Sequence, residues 1–444
     1  MVYWLQQTIL KMGFWLTWAL IPIVVEILPA FIQGIRLFLT NLRPKKLAMP
    51  DKMPFISIVV PVYNSEDTLF ACIQSIREST YPHELVQVIL ADNQSTDDSF
   101  GVFNRAQNRF ADMNMQLMHS EKGKAKALNS AIYNAIGTYI INIDSDGMLE
   151  KHALMNMVLR FENDFEVAAL TGTILPQHQM IDNWRHPGKS FLQHNEYFEY
   201  AQAFLSGRSI ESHQNQLFTM SGAFSAFRKE ALLKTFLYNT GTIGEDTDMT
   251  FQIRDKLHRK VAICAESIFY IVPIESLGSL YIQRQRWQKG EMEVTHEYAN
   301  KTTMSDFFKN FLVRRMMMDH TFLFPRMIWM FASIALLFLR YSPIMMGMSY
   351  VIIYLLYAMV SLLNYMCVFQ LLRGSTEERH YYAREWWVAF TLPIYNFICS
   401  WIRYIGILNS MTDKKSVWNS KRFGQEAGQV KAIIRSDFSR KRGK

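Results

Sequence analysis

The apolar residues of this chain gather in two blocks, one ending near residue 39 and one beginning near residue 322, with a polar stretch between them. That segregation restricts the available folds more than any single motif does. Residues 13–39 carry only Glu26 and Arg36 as charges. At 1.5 Å per residue they reach roughly 40 Å, enough to cross a hydrocarbon core about 30 Å thick with some tilt. Pro22 and Pro29 would kink such a helix. The run is too long for the apolar core of a cleaved signal peptide, and no small-x-small site follows it. It reads as a retained anchor. The second block divides into residues 322–339, 344–372 and 386–408, broken by Arg340-Tyr341-Ser342-Pro343 and by the charged segment 373–385. Its last piece holds Pro393, Asn396 and Arg403, and suits a span, a re-entrant segment or an interfacial helix.

Composition then excludes several classes. Of the 444 residues, 50% are apolar, 14% aromatic and 19% charged, with a net charge of +8. Disorder requires low hydrophobicity and few aromatics. A pure transporter would have no use for the long polar middle. Arg36, Arg43, Lys45 and Lys46 follow the first block while only Lys11 precedes it, which places the bulk of the chain in the cytoplasm. The tail after Asp413 is basic and favours a cytoplasmic C-terminus, whereas three full spans in the second block would put it outside. Much of the positive excess therefore lies beside apolar segments, where anionic lipid rather than nucleic acid is the economical partner. Cys72, Cys264, Cys367 and Cys399 have no paired spacing, which argues against disulfides and zinc.

In the polar middle, short apolar strands alternate with helical stretches. Residues 55–62, 86–91, 115–118 and 139–143 read as strands; helices are expected over 65–78, from about 97, and over 124–136. Such alternation implies a mostly parallel sheet with helices on both faces and ligands beyond the carboxyl ends of the strands. Polar residues gather at that edge each time: Pro61-Val62-Tyr63-Asn64, then Asp92-Asn93-Gln94-Ser95, then Asp144-Ser145-Asp146. Neither GxGxxG nor a P-loop occurs.

Each motif has a bland reading beside its chemical one. Asp144 and Asp146 flank one serine in a turn and suit Mg²⁺ or Mn²⁺ holding a diphosphate, although solvated acids in a turn look the same. Asp92 ends an apolar strand, where a carboxylate can accept the uracil imide N–H or bond a ribose hydroxyl, or cap the next helix. Gly123-Lys124-Ala125-Lys126 opens a helix and would attract phosphate. Glu245 and Asp246 are candidate bases, the role an inverting sugar transfer needs, while Asp248 is placed to cap or open the next helix. Gln283-Arg284-Gln285-Arg286-Trp287 offers an indole to stack on sugar and a guanidinium for diphosphate, or belongs to a basic amphipathic helix on the membrane. The later stretch 301–320, with Phe307, Phe308, Phe311, Arg314 and Arg315, fits the interfacial reading better.

With these residues in view the chain resembles the family 2 glycosyltransferases, and among them the membrane-bound synthases of poly-N-acetylglucosamine, hyaluronan, chitin or cellulose. Asp92, Asp144-Ser145-Asp146, Glu245-Asp246 and Gln283-x-x-Arg286-Trp287 occur in that family's order, over roughly residues 54–287. The resemblance implies an α/β GT-A domain with N- and C-terminal transmembrane helices, in a multi-pass protein of the cell membrane. It implies Asp246 as base with Glu245 beside it, and Pro61, Tyr63, Asn64, Glu66, Asp92, Lys124 and Asp144 around a UDP-sugar. Gly222, Gln283, Arg286 and Trp287 would line the acceptor and diphosphate site, with Asp144 and Asp146 holding Mg²⁺ or Mn²⁺. Asn129 matches the GKAxALN pattern, and Trp418 with Arg422 a basic tail element. Two departures stand out: Asn93-Gln94 where the family's loop reads Asp-Gly, and Gly244 where Thr often precedes Glu-Asp. The expected organisation is an anchor (1–43), a cytoplasmic GT-A domain (44–300), an interfacial helix (301–320), a transmembrane region (321–409) and a basic tail (410–444). Its partners would be the UDP-sugar donor, a growing glycan or lipid-linked acceptor, the bilayer and an accessory membrane subunit. Elongation of a cell-surface polysaccharide is the expected activity. Single-sugar transfer to a lipid carrier and a catalytically silent membrane scaffold are the alternatives.

Overall fold

A computed structural model describes residues 23–42, 47–299 and 342–412, with parts of 330–338. Residues 1–22 of the expected anchor, the expected interfacial helix 301–320, most of the apolar piece 322–339, and Trp418 and Arg422 lie outside the described residues.

Eight strands form one sheet in the order β3-β2-β1-β4-β7-β6-β8-β5. They are β1 (Ile56–Val62), β2 (Val86–Asp92), β3 (Asn114–His119), β4 (Tyr139–Ile143), β5 (Gly147–Leu149), β6 (Val167–Pro176), β7 (Phe224–Arg228) and β8 (Lys260–Ile271). β1 is buried at every position, as its unbroken β-branched run requires of a strand covered on both faces. Its alternate residues serve two cores. Ile58 and Val60 pack with Cys72, Ile73 and Ile76 of the helix Leu69–Arg77, whereas Val59 packs with Ala127, Leu128 and Ala131 of the helix Lys124–Asn134. The first four strands are parallel as the alternation implied. Beyond Asp146 the sheet is mixed: β7 runs antiparallel to β4 and β6, and β5 antiparallel to β8. The helices that carry the chain from β6 to β7, Pro187–Tyr200 and Arg208–His213, replace the simple crossover that would keep neighbouring strands parallel.

Two further parts pack against this α/β body. The helix Leu28–Thr40 lies along the helix Pro343–Leu371: Gly34 meets Leu363, the Tyr357 hydroxyl donates to Glu26 Oε2 at 2.7 Å, and Arg373 Nη2 donates to the Asn41 carbonyl at 2.6 Å. Among the described residues Met346–Gly374 is the one helical stretch long and apolar enough to cross a membrane. Leu28–Thr40 is apolar but shorter. The third expected apolar piece forms one helix, Val388–Thr412, with Pro393 inside it. Between these two long helices, Thr376–Arg384 docks on the sheet side: His178 Nδ1 lies 3.0 Å from Glu378 Oε1, and the Tyr197 hydroxyl donates to the same carboxylate.

The start of β4 approaches β1 so closely that a Cβ on Gly137 would sit 2.4 Å from the Ser57 nitrogen and 2.6 Å from the Ile56 carbonyl carbon. Gly137→Ala should therefore cost on the order of 2 kcal/mol or more, as other backbone clashes in a core do. Thermal unfolding of the detergent-purified protein checks this. Gly188→Ala, whose Cβ would meet nothing within 4 Å, should leave the midpoint unchanged or slightly higher.

Candidate active site

The parallel register brings the carboxyl ends of three strands level, so that Val62 pairs with Asp92 and Asp92 with His119. Asp92 Oδ1 accepts the Ser95 N–H at 3.2 Å, and Oδ2 lies 3.1 Å from His119 Nδ1. Tyr63 follows β1 with its ring exposed, and the Lys122 ammonium stands 5.8 Å from the ring centroid. Asn64 takes a left-handed φ of 48°; its Oδ1 accepts the Thr96 N–H at 2.8 Å and its own N–H donates to Ser95 Oγ at 3.0 Å. Glu66 Oε2 accepts the Asp98 N–H at 3.2 Å, while Asp97 accepts the Glu66 N–H at 2.8 Å. Asn64 and Glu66 thus tie the loop after β1 to the loop after β2, and Pro61 is buried within β1.

A second set of contacts converges on one peptide group. Asn93 Oδ1 accepts the Gly123 N–H at 2.5 Å, and Gly123 has a φ of +132° that a side chain would strain. Lys124 then starts its helix with Nζ 2.5 Å from Asp144 Oδ1 and donates to the Gly222 carbonyl at 3.2 Å. Asn142, in β4, donates Nδ2 to the same carbonyl at 2.9 Å. On its other side the Gly222 N–H donates to Asp246 Oδ2 at 3.0 Å, and Asp246 Oδ1 accepts the Thr247 N–H at 2.7 Å. A Cβ at Gly222 would press within 3.2 Å of Asp246 Oδ2. Lys124, Asp144, Gly222 and Asp246 are therefore one connected group, and Asn142 is a member that sequence reasoning missed. Its signal was an amide inside the otherwise apolar run of β4.

The local electrostatics follow from burial. Asp146 is pushed up by burial and then by Asp144, with Lys124 and Arg286 opposing. Burial works against the charge of Lys124, yet Asp144 and Glu245 outweigh it and raise its pKa. Glu245 is pushed up to about 7, first by burial and then by Asp246. Among the described residues no group of three or more His, Cys, Asp or Glu is disposed to hold a metal ion. A divalent cation would find two protein carboxylates here, those of Asp144 and Asp146. Their mutual repulsion in a buried setting is what a cation relieves, so the pair fits a cation that takes its other ligands from diphosphate and water.

The helix Leu277–Ala299 closes the site. Gln283, Arg286 and Trp287 sit on it at i, i+3 and i+4, hence on one face. Gly244 and Gly290 meet back to back: a Cβ on Gly244 would lie 2.7 Å from the Gly290 carbonyl oxygen. That contact gives Gly244, an apparent departure from the family pattern, a packing reason. Glu293 Oε2 accepts both Thr242 Oγ1–H and the Ile243 N–H at 3.0 Å, so the helix also holds the loop leading to Glu245. Glu293 had no local sequence signal. The helix at this point is Glu245–Phe251 with Gly244 at its N-cap. Asp248 does not cap or open it; the side chain is buried in its first turn, where Oδ2 accepts Gln252 Nε2–H at 2.7 Å and Oδ1 the Tyr298 hydroxyl at 3.0 Å. Burial beneath Tyr298 is a tertiary effect that spacing could not reveal. Arg284 turns inward and pairs with Glu199 Oε2 at 2.5 Å.

Residues 57–236 match the family model for glycosyl transferase family 2. Those residues form a glycosyl transferase family 2 domain. The glycosyltransferase is 26% identical over 290 residues to a poly-beta-1,6-N-acetyl-D-glucosamine synthase of Staphylococcus aureus, covering 64% of this chain and 62% of that one. It is 26% identical over 246 residues to the synthase of the same name from Staphylococcus epidermidis, covering 54% and 55%. The match thus spans less than two thirds of each relative's length. A mannosyltransferase from Pyrobaculum calidifontis, solved with GDP-Man and Mn²⁺, superposes with a TM-score of 0.54 at 15% identity, covering 87% of this glycosyltransferase and 97% of that chain. That likeness shows a shared fold, the GT-A-like α/β arrangement with a mixed sheet.

One pH effect follows from the buried acid beside Arg284. Glu196 is fully buried, and burial pushes its carboxyl from 4.5 up to about 7, despite the N–H it accepts from Ile274 and the nearby Arg284. The folded state then holds a proton that the unfolded chain has lost, so stability falls as pH rises from about 4.5 to about 7. Glu196→Gln should flatten that decline in the melting midpoint of the substrate-free glycosyltransferase. Parallel curves for the two proteins would show that Glu196 does not carry it.

Proposed function

We propose that this glycosyltransferase transfers N-acetylglucosamine or glucose from its UDP-sugar, with inversion, to the end of a growing cell-surface glycan at the cytoplasmic face of the membrane. The observation that carries the reading is the junction at Gly222, which links the acid pair Asp144 and Asp146, through Lys124, to the acid Asp246. An inverting transfer needs these two features near one another: cationic neutralisation where diphosphate leaves, and a base where the acceptor hydroxyl attacks.

In this reading Asp92 accepts the uracil imide N–H and Tyr63 lies against the base. Lys124, at a helix N-terminus, and Arg286, close enough to act on Asp146, face the diphosphate. Mg²⁺ or Mn²⁺ would be held by Asp144 and Asp146. When bound, the cation offsets charge building on the departing diphosphate. Asp246, oriented by the N–H groups of Gly222 and Thr247, takes the proton from the acceptor hydroxyl. Glu245 sits next to it, and burial and the neighbouring Asp246 raise its carboxyl pKa to about 7, so that below neutral pH only one of the two adjacent carboxylates is charged. Trp287, on the same helix face as Arg286, offers its indole to the acceptor sugar.

Polymer elongation rather than single transfer is supported by the synthase relatives and by the direct packing of this helix on Val388–Thr412: Gln285 Nε2 donates to the Ile402 carbonyl and Arg403 Nε to Gln288 Oε1, both at 3.0 Å. An acceptor leaving the site would meet that helix and the apolar stretch Met346–Gly374. Membrane location, in a multi-pass arrangement, rests on the same stretch and the basic flanks of the apolar blocks.

Asp246→Asn keeps a hydrogen-bond acceptor for the Gly222 N–H but removes the base. It should bind UDP with nearly the parent affinity by calorimetry and lose transfer by about 10²–10⁴-fold. Full turnover in that variant would remove Asp246 from the mechanism.

A further inference from the structure

The helical stretch that leads from β6 to β7 holds a buried guanidinium behind Asp246. It begins as Pro187–Tyr200, passes into a π-helical stretch, Ala201–Gly207, and ends as Arg208–His213. A π stretch has a wider turn, which rotates the residues after it relative to a regular α-helix, and such stretches gather at functional sites. Arg208 comes directly after this one and is 7% exposed. Its Nη1 donates to Thr171 Oγ1 at 3.3 Å, and its guanidinium carbon lies 4.5 Å from the centroid of the Phe204 ring. Thr171, fully buried in β6, accepts a second donor at the same oxygen, the Ser221 N–H at 2.9 Å. The next N–H along the chain, that of Gly222, donates to Asp246 Oδ2 at 3.0 Å. One threonine oxygen therefore ties Arg208 to the turn that orients Asp246.

Other buried arginines of this chain are better partnered. Arg228 donates to the carbonyls of Val167, Phe161 and Asp164, and Arg284 pairs with Glu199 at 2.5 Å. Arg208 has a hydroxyl and an aromatic face, and the bond to Thr171 is its one hydrogen bond among the described residues. A cation taken out of water without an ion pair is costly to keep. Burial pushes Arg208 down to about 10, and the groups that oppose this are Glu211, then Asp246, then Tyr200. Glu211 lies three residues on along the same helix and accepts the Phe218 N–H at 3.2 Å. Asp246 sits among acids. Glu245 adjoins it, Tyr238 feels both, and Asp144 and Lys124 act on Glu245. Asp248, on the same helix, is turned to Gln252 and Tyr298.

We propose that Arg208 is a positioning residue for the transfer: through Thr171 it fixes the Ser221–Gly222 turn, and its charge keeps Asp246 in the ionised form that takes the proton of the acceptor hydroxyl. This rests on the reading of Asp246 as the base. Arg208 acts through Asp246 rather than on the substrates.

The test compares Arg208→Gln, which keeps a donor for Thr171 and removes the charge, with Arg208→Lys, which keeps the charge. Sugar transfer is followed against pH with the full-length protein in detergent, Mg²⁺ or Mn²⁺ and the UDP-sugar that it turns over. The acid limb of kcat/KM belongs to the Glu245–Asp246 pair. Losing a buried positive charge makes that pair harder to ionise, so in Arg208→Gln the limb should move to higher pH by about one unit. Turnover should then fall about tenfold on the acid side of the limb and recover toward the parent's above it. Arg208→Lys should leave the limb near the parent's position. A limb that stays in place in Arg208→Gln, whether turnover is kept or falls by one factor at every pH, overturns the proposal and marks Arg208 as structural. A limb that moves equally in Arg208→Lys overturns it too, because the charge is still there. So does a glutamine variant without a cooperative thermal transition, since the fold itself then needs the charge. If the parent transfers no sugar, or Asp246→Asn keeps full turnover, the base reading fails and Arg208 has no base to position. An inactive Asp246→Asn beside an unmoved limb in Arg208→Gln removes this proposal alone.

Discussion

The peptide group of Gly222 is the point on which the site depends. Its carbonyl receives Lys124 and Asn142, and its N–H is received by Asp246. Four stretches of chain, separated by as much as 98 residues in one contact, are brought to a single amide. Each partner is oriented by something already in place. Asn142 is fixed in β4, Lys124 by the Gly123 turn that Asn93 holds, and Asp246 by the helix that Gly244 starts. Disturbing the amide would loosen the proposed leaving-group side and the proposed base side together. The absence of a side chain at Gly222 permits the approach of Asp246.

The helix Leu277–Ala299 extends this dependence outward. One end of its contacts, through Glu293 and Gly290, holds the loop before Glu245. The other, through Gln285 and Gln288, holds the helix Val388–Thr412. Trp287 lies beside Gln288 in the second set. The residues proposed to meet the acceptor and those that hold Val388–Thr412 therefore belong to one helix.

Much of this was legible in the sequence where local physics decides. β1 announced itself by a β-branched run and β2 and β4 by largely apolar ones, β3 more weakly, and polar residues at their carboxyl ends marked the edge where the candidate site residues gather. Asp92, Asp144, Lys124 and Asp246 lie where strand ends and helix starts place them. The mixed half of the sheet was not legible, because β5 has three residues and β7 is antiparallel through pairings set by distant chain. Asp248 was misread for a related reason: its burial depends on Tyr298, fifty residues on. Arg284 was treated as a spacer in its motif, since only a buried partner, Glu199, turns it inward. Asn93 and Gly244, departures from the family pattern, acquired reasons only from contacts with Gly123 and Gly290.

The central claim is that this arrangement moves a sugar from a UDP-sugar with inversion. The most direct measurement offers purified protein a panel of UDP-sugars labelled at the anomeric carbon, with Mg²⁺ or Mn²⁺, and reads the anomeric configuration of the product by NMR. Transfer from UDP-GlcNAc or UDP-Glc into a β-linked product is the predicted result. A product that retains the donor's α configuration, or no transfer from any UDP-sugar with either cation, would contradict the account.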